Sequence, residues 1–513
     1  MGAHREAAEL YQLALRYAGT TPARKQVIWL EQQAFERYLC ADLQTAATCW
    51  REAIARRHVL GDRLEEGDDL RWLSHVLYPL GRTTEAIEAG LASLRLLHNL
   101  GPSRQLAWSL VTLAGLSTYT YDPRAAEYAD WAVTLGTQLG ETAVVFRAQS
   151  YAGLATVFRT DAGWDDLEAA WRATMRSAAL AEHAGFIGMN LSWTAAVHRD
   201  LDRAASYIAE TVPFCIDHDM GTFQMLAVGA DALVGLHRGT WDHAAMLAYQ
   251  VLSRPEMSPL HRILPLVTVA LIRARRGQQP VAPLLDEAIT SYEPGGMLHL
   301  GTVWAARAEV AWLAGDDDAA RAEAYAGLAA ATEHTDPWLV GHLRRWVHLA
   351  GGSTESTGGA MTPFESEISG DWQAAAEAWR ARGCSYDAAL AQLGGDVAAV
   401  GSALATFRRL GARAAARRAQ QRLAALRGRT PRSRRADTLA DPDGLSRRQR
   451  EVLELIAAGD SDAEIAAKLS LSPKTVGHHV SSILAKLNVD NRIQAAAHRR
   501  HAPVVEPLAG DTA

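Results

Sequence analysis

Cysteine is scarce in this chain of 513 residues: Cys40, Cys49, Cys215 and Cys384 are the full set, with no CxxC or other metal-ligand spacing. That excludes a disulfide framework and a thiolate zinc site. Scattered thiols within helical patterns are small core residues of a reduced protein, so a cytoplasmic location is expected. Phenylalanine is also low, at 8 against 15 tryptophans, and alternating Val/Ile/Thr stretches are nearly missing. The fold class expected is therefore all-α. No run of 18 apolar residues occurs, and the opening MGAHREAAELYQ is an amphipathic helix pattern rather than a secretory core. Glu6 stands where a myristoylation signal would carry Ser or Thr, so no membrane partner is expected.

The motifs of common catalysts are missing too. There is no GxxxxGK[ST], no GxGxxG after a strand, no HExxH and no GxSxG. His498 and His501 are three apart in HRRH but lack a third ligand, which reads as a phosphate-facing helix end rather than a metal site. No strand-borne acid cluster offers an aspartyl phosphorylation site. The expectation is a non-enzyme with no catalytic residues, no metal and no cofactor.

What is present is an uneven charge. Residues 1–407 carry 32 Lys and Arg against 47 Asp and Glu; residues 408–435 carry eleven arginines and no acid; residues 445–500 carry nine bases against six acids. The acidic part is unsuited to a polyanion and the basic end is suited to one.

The acidic part is repetitive. Helix-breaking positions recur near Ala41-Asp42, Gly81, Asp122, Gly163, Asp200, Gly239, Gly277 and Gly315, at intervals of 37 to 41 residues. Weaker marks, HVLGD (58–62), HNLGP (98–102) and TQLGE (137–141), fall between them. Two-helix units at this period are the signature of an α-solenoid, and the pattern resembles tetratricopeptide repeats, which are usually shorter. Such stacking creates a long concave surface suited to an effector, a small molecule or a protein segment. The tryptophans of the array either line that surface or anchor one repeat on the next. The expected layout is helical repeats over 1–350, a flexible Gly/Ser/Thr-rich loop over 351–363 and Arg-rich terminal repeats over 364–428. A Pro-containing linker over 429–443, a four-helix domain over 444–501 and a disordered tail over 502–513 follow. The terminal arginines form either a solvated face or a further phosphate-binding surface.

The four-helix domain is legible in its caps. Ser446 with Gln449, Ser461 with Glu464, and Asn491 with Gln494 have capping-box spacing. Ser472-Pro473 is the other common helix start, and Gly459 suits the stop of the first helix. Only Ser470 and Leu471 separate the second helix from Ser472, the spacing of a helix-turn-helix. The third helix, Ser472 to Leu487, turns Val476, Val480, Ile483, Leu484 and Leu487 to a core. It turns Lys474, Gly477, His478 and Ser481 the other way. A packed back with a polar leading end is what the DNA major groove receives.

The words LSRRQREVLELIAAG, SDAEIAAKLSLSPKTV, HHVSSILAKLNV and NRIQAAA resemble the LuxR/FixJ type of helix-turn-helix along its whole tetrahelical module. With the repeats ahead of it, the chain resembles the large ATP-binding LuxR-type regulators, without their N-terminal ATPase domain, so ATP-driven switching is not implied. The resemblance implies a transcriptional regulator, an activator rather than a repressor, acting on double-stranded promoter DNA and thereby on RNA polymerase. It puts Gly477, His478 and Ser481 on base edges. The helix start at Ser472, with Lys474, Thr475, His479 and Lys486, would approach phosphates. Gly477 departs from the family pattern, which places a longer side chain there, and Asp462 stands where Asn is common. Specificity from one small module requires two half-sites and hence a homodimer, for which Ile493, Ala496 and Ala497 on the fourth helix are the candidate contact. The alternative is a helical-repeat interaction scaffold whose DNA-binding module has become weak.

Overall fold

The computed structural model describes residues 3–293, 296–353, 363–427, 445–487, 489 and 491–501. The chain divides into two compact units, Met1–Arg427 and Gly428–Ala513. Every regular element among the described residues is a helix. The expected linker, the tail, most of the loop at 351–363 and the side chains of His498 and His501 lie outside what is described.

In the first unit, the period seen in the sequence is a backbone period. Ala41, Gly81, Tyr121, Asp161, Arg199, Gly239, Gly277 and Gly315 all have left-handed φ, between 55° and 94°, at intervals of 38 to 40 residues. At seven of these eight positions the next N–H reaches back to the carbonyl five residues earlier, as Asp42 does to Arg37 and Asp316 to Ala311. This is the Schellman closure of a helix. At five of the eight the residue after the turn is the N-cap of the following helix, and at three of these its carboxylate, that of Asp42, Asp200 or Asp316, accepts from the N–H of Thr45, Arg203 or Ala319. Four of the eight positions are not glycine, although a side chain there costs on the order of 1–2 kcal/mol. Ala41, Tyr121 and Arg199 are all buried, and their packing compensates.

One helix of each hairpin lies inside. Arg63–Leu77, Arg104–Tyr119, Thr142–Thr160, Ala181–Val197, Gly221–Arg238, Pro259–Arg276, Met297–Ala314 and Pro337–Leu349 touch both their hairpin partners and the next inner helix. Within Ala181–Val197 every residue from Ala184 to Ala196 is buried, which accounts for the absence of charge in that run. The superhelix is tight. Ala23–Leu39 touches Gly221–Arg238, ten α-helices further on, and Thr142–Thr160 touches Pro337–Leu349, again ten on. Side chains therefore bridge successive turns: Thr222 Oγ1 donates to the Tyr38 carbonyl (2.5 Å), and the Tyr292 hydroxyl donates to the Tyr78 carbonyl (2.7 Å). The long open concave surface expected from the repeats is corrected accordingly. The inner face closes on itself and leaves chambers rather than a groove.

Most array tryptophans are anchors: Trp50, Trp171, Trp241 and Trp312 are buried, whereas Trp72 and Trp108 line a chamber. Buried charges join distant repeats. Arg345, fully buried, donates to Glu367 (2.9 Å) and Asp387 (2.5 Å). His198 sits between Asp161 (3.0 Å) and Asp336 (2.8 Å). The unit ends in Val397–Arg409 and Arg413–Leu426. Of the seven arginines from Arg408 to Arg427, Arg418 binds Asp317 (2.5 Å) and the other six are exposed.

Candidate nucleic-acid interface

The second unit is small, and its caps do much to fix it. Its core is Leu445, Val452, Leu453, Ile456, Ile465, Ala466, Val476, Ile483, Ala495 and Ala496. Helices Arg447–Ala458 and Asp462–Leu469 both begin in complete capping boxes, with Ser446 and Gln449, then Ser461 and Glu464, exchanging hydrogen bonds. The Ser461 hydroxyl, and after it the backbone N–H, holds the Glu464 carboxyl below its usual range. Gly459 ends the first helix at φ 95°. The tight turn takes its left-handed residue from Ser470, at φ 55°, where no glycine is available.

The third helix, Pro473–Leu487, starts under Ser472, whose Oγ accepts the Thr475 N–H (3.1 Å) and pairs with Thr475 Oγ1 (2.8 Å). Val476 and Ile483 are fully buried, and Val480, Leu484 and Leu487 pack around them. Lys474, His478 and Ser481 are exposed along one ridge; Thr475, Gly477 and His479 are half-buried beside it. The Ser481 hydroxyl donates back to the Gly477 carbonyl (3.0 Å), which leaves its lone pairs facing outward. A side chain at Gly477 would begin 4.0 Å from the Asp462 carboxylate, so the two positions that depart from the family pattern meet in space.

Gln449, already marked by its cap spacing, and two residues the sequence did not mark, Arg448 and Arg492, hold this shape. Gln449 Oε1 accepts the Ser446 N–H (2.9 Å) and the Lys486 ammonium (2.6 Å), while its Nε2 donates to Ser482 (2.8 Å). Lys486, expected at a phosphate, is thus tied to the first helix. Arg448 donates to the Leu469 carbonyl and pairs with Glu451. Arg492 donates to Asp462 (3.1 Å) and to the Asp460 carbonyl (2.7 Å), clamping the fourth helix to the second. Gln449 was legible as a capping residue, but its second role needed the third helix in place.

The fourth helix, Arg492–His501, corrects one expectation. Ala496 is 6% exposed and belongs to this unit's own core with Ala495, so it is not offered to a second copy. Ile493, 75% exposed, and Ala497 remain on the surface one turn apart.

Residues 443–498 match the family model described as "Bacterial regulatory proteins, luxR family". The uncharacterized transcriptional regulatory protein YhcZ of Bacillus subtilis (strain 168) is 58% identical over 52 residues, which are 10% of this chain and 24% of that one. The transcriptional regulatory protein LiaR of the same organism is 46% identical over 61 residues, 12% of this chain and 29% of that one. The glycerol metabolism activator of Pseudomonas putida is 51% identical over 51 residues, 10% and 23% of the two chains. The chain spans about a quarter of the length of these relatives. A monomeric mutant of IFIT1 with m7Gppp-AAAA covers 82% of this chain and 95% of its own at 16% identity, but a TM-score of 0.34 carries no argument. Sequence, caps and helix faces agree: this chain carries a LuxR-type helix-turn-helix domain at residues 443–498, behind a body of helical repeats.

Proposed function

We propose that the protein is a sequence-specific transcriptional regulator, in which the third helix of the C-terminal domain reads promoter DNA and the repeat body receives an effector. The observation that carries this reading is the third helix itself, whose back is buried at Val476 and Ile483 while Lys474, His478 and Ser481 form an exposed leading ridge. His478 and Ser481 face base edges. Gly477 contributes no side chain, so part of the site is read through DNA shape. Lys474, Thr475, His479 and the helix start at Ser472 take phosphates. Lys486 reaches a phosphate only by leaving Gln449.

Two copies bind two half-sites about one helical turn apart, with Ile493 and Ala497 as the small contact between fourth helices. The reading as an activator is supported by the name of the Pseudomonas putida relative, a glycerol metabolism activator; action through RNA polymerase is part of the same proposal. The test is genome-wide mapping of bound sites, with expression of the adjoining genes measured when the protein is supplied or removed. A shared, two-fold symmetric motif beside genes that rise with the protein is expected. Scattered, motif-free occupancy would favour the interaction scaffold instead.

A further inference from the structure

Two neighbouring chambers among the described residues of the body lie where inner helices meet. The outer one holds about 360 Å³, within the range of roughly 300–1,000 Å³ usual for small-molecule sites. Its walls include Trp72, Trp108, Arg71, Arg147, Glu182 and His183. The central charges are paired already, Arg71 with Asp68 at 2.8 Å and Arg147 with Glu182 at 2.6 Å. Arg71 lies 4.2 Å over the Trp72 ring, and Trp108 and His183 stack at 5.4 Å. The outer chamber therefore offers flat faces beside paired charges and beside Glu65, which accepts from Gln105 Nε2 (3.2 Å).

The inner chamber is smaller, about 80 Å³, and shares His75, Thr112 and Tyr151 with the walls of the outer one. Its lining is mostly aromatic and aliphatic. Three histidines border it. His75 Nε2 meets the Tyr38 hydroxyl (3.1 Å), and His261 is bonded at both nitrogens, to Ser258 (2.7 Å) and to the Thr222 carbonyl (3.1 Å). His299 is the exception: it is 5% exposed and neither ring nitrogen has a partner among the described residues. Trp193, Tyr292 and Tyr78 surround it at 5.2, 5.5 and 5.8 Å. Burial lowers its pKa to about 3, so near neutral pH the ring is uncharged and presents one N–H donor and one bare acceptor. Buried polar groups in native proteins are overwhelmingly hydrogen-bonded, and one aimed into a chamber points to what completes it.

We infer that the two chambers bind a small aromatic alcohol or ketone, its ring against the tryptophan faces of the outer chamber and its short aliphatic arm placing an oxygen on His299. The ring belongs outside, because a chamber of about 80 Å³ is smaller than the roughly 150 Å³ cavity known to take benzene. The arm is uncharged, since an ion in the apolar chamber would lose its hydration without a counter-ion. This site gives a chemistry to the effector proposed above, and rests on that reading for its regulatory consequence alone.

The experiment is titration calorimetry and thermal melting of the full chain with 3-phenylpropan-1-ol, propylbenzene and 3-phenylpropanoate. The alcohol is expected to raise the melting temperature and to bind at least about tenfold more tightly than either analogue, the scale of one hydrogen bond gained rather than left unmade. His299→Leu should leave the ligand-free protein at least as stable, while bringing the alcohol and the hydrocarbon to within about twofold of each other. Leu260→Phe, which narrows the inner chamber while keeping His299, should weaken both. No binding of the alcohol, equal binding of propylbenzene, or a preference that survives His299→Leu would overturn the site; a chamber that only holds water on His299 gives the first result. DNA affinity measured in the same samples, with and without the alcohol, keeps the two proposals apart. Binding that leaves DNA affinity unchanged removes the effector reading and leaves the site standing.

Discussion

The two units use polar side chains in opposite ways. The body turns many of them inward: Arg345 onto Glu367 and Asp387, Arg275 onto Glu309, His198 between two aspartates, all at burial that few soluble proteins give a charge. The C-terminal domain keeps its polar groups at helix starts and along one ridge, over a core of ten buried side chains. In the body, then, polar contacts decide which repeat packs on which, across 22 to 138 residues of sequence. In the domain they decide where each helix begins, and leave the leading face of the third helix open.

That contrast can be broken most forcefully in the body. Arg345→Met leaves two carboxylates without their shared cation, and a loss of about 3–5 kcal/mol is expected, seen as a lower denaturation midpoint. A loss under about 1 kcal/mol would mean that the network is not holding the terminal repeats. A pH titration comes next. The carboxylates of Asp336 and Asp161, acting against the burial cost, raise His198 to about 9. Its folded pKa lies above the unfolded value near 6.5, so its contribution is complete below about pH 6.5 and disappears as pH rises through 9. Melting curves should fall across that window by up to about 3 kcal/mol, and His198→Gln should flatten the fall. The smallest effect belongs to the domain: Ser446→Ala or Ser461→Ala should each cost about 1 kcal/mol, by loss of one cap. Melting of the domain followed separately from that of the body would check this.

The same contrast explains what the sequence could disclose. Caps and turns are local, so the four starts of the domain and the spacing of the repeats were readable residue by residue. Even so, four turns hide behind ordinary residues, and at Tyr121 and Arg199 the marker read from the sequence was the aspartate one position later. Ala496 was set on the wrong side because alanine suits a core and a surface equally, and only the depth of Ala495 and Ala496 in the packed domain separates them. The chambers were not readable at all. The walls of the smaller one join Tyr38 to Thr222, 184 residues apart, brought together by the tightness of the superhelix.

DNA recognition by the exposed ridge of the third helix is tested most directly by the salt dependence of promoter binding. Fluorescence anisotropy of the full chain on a mapped site should give an affinity that falls linearly, on logarithmic axes, with salt. Lys474→Ala should lower affinity on every sequence and reduce that slope by about one, and His478→Ala should narrow the preference for the mapped site over scrambled DNA by about tenfold or more. Binding that is indifferent to salt, or unchanged by both substitutions, would contradict the account.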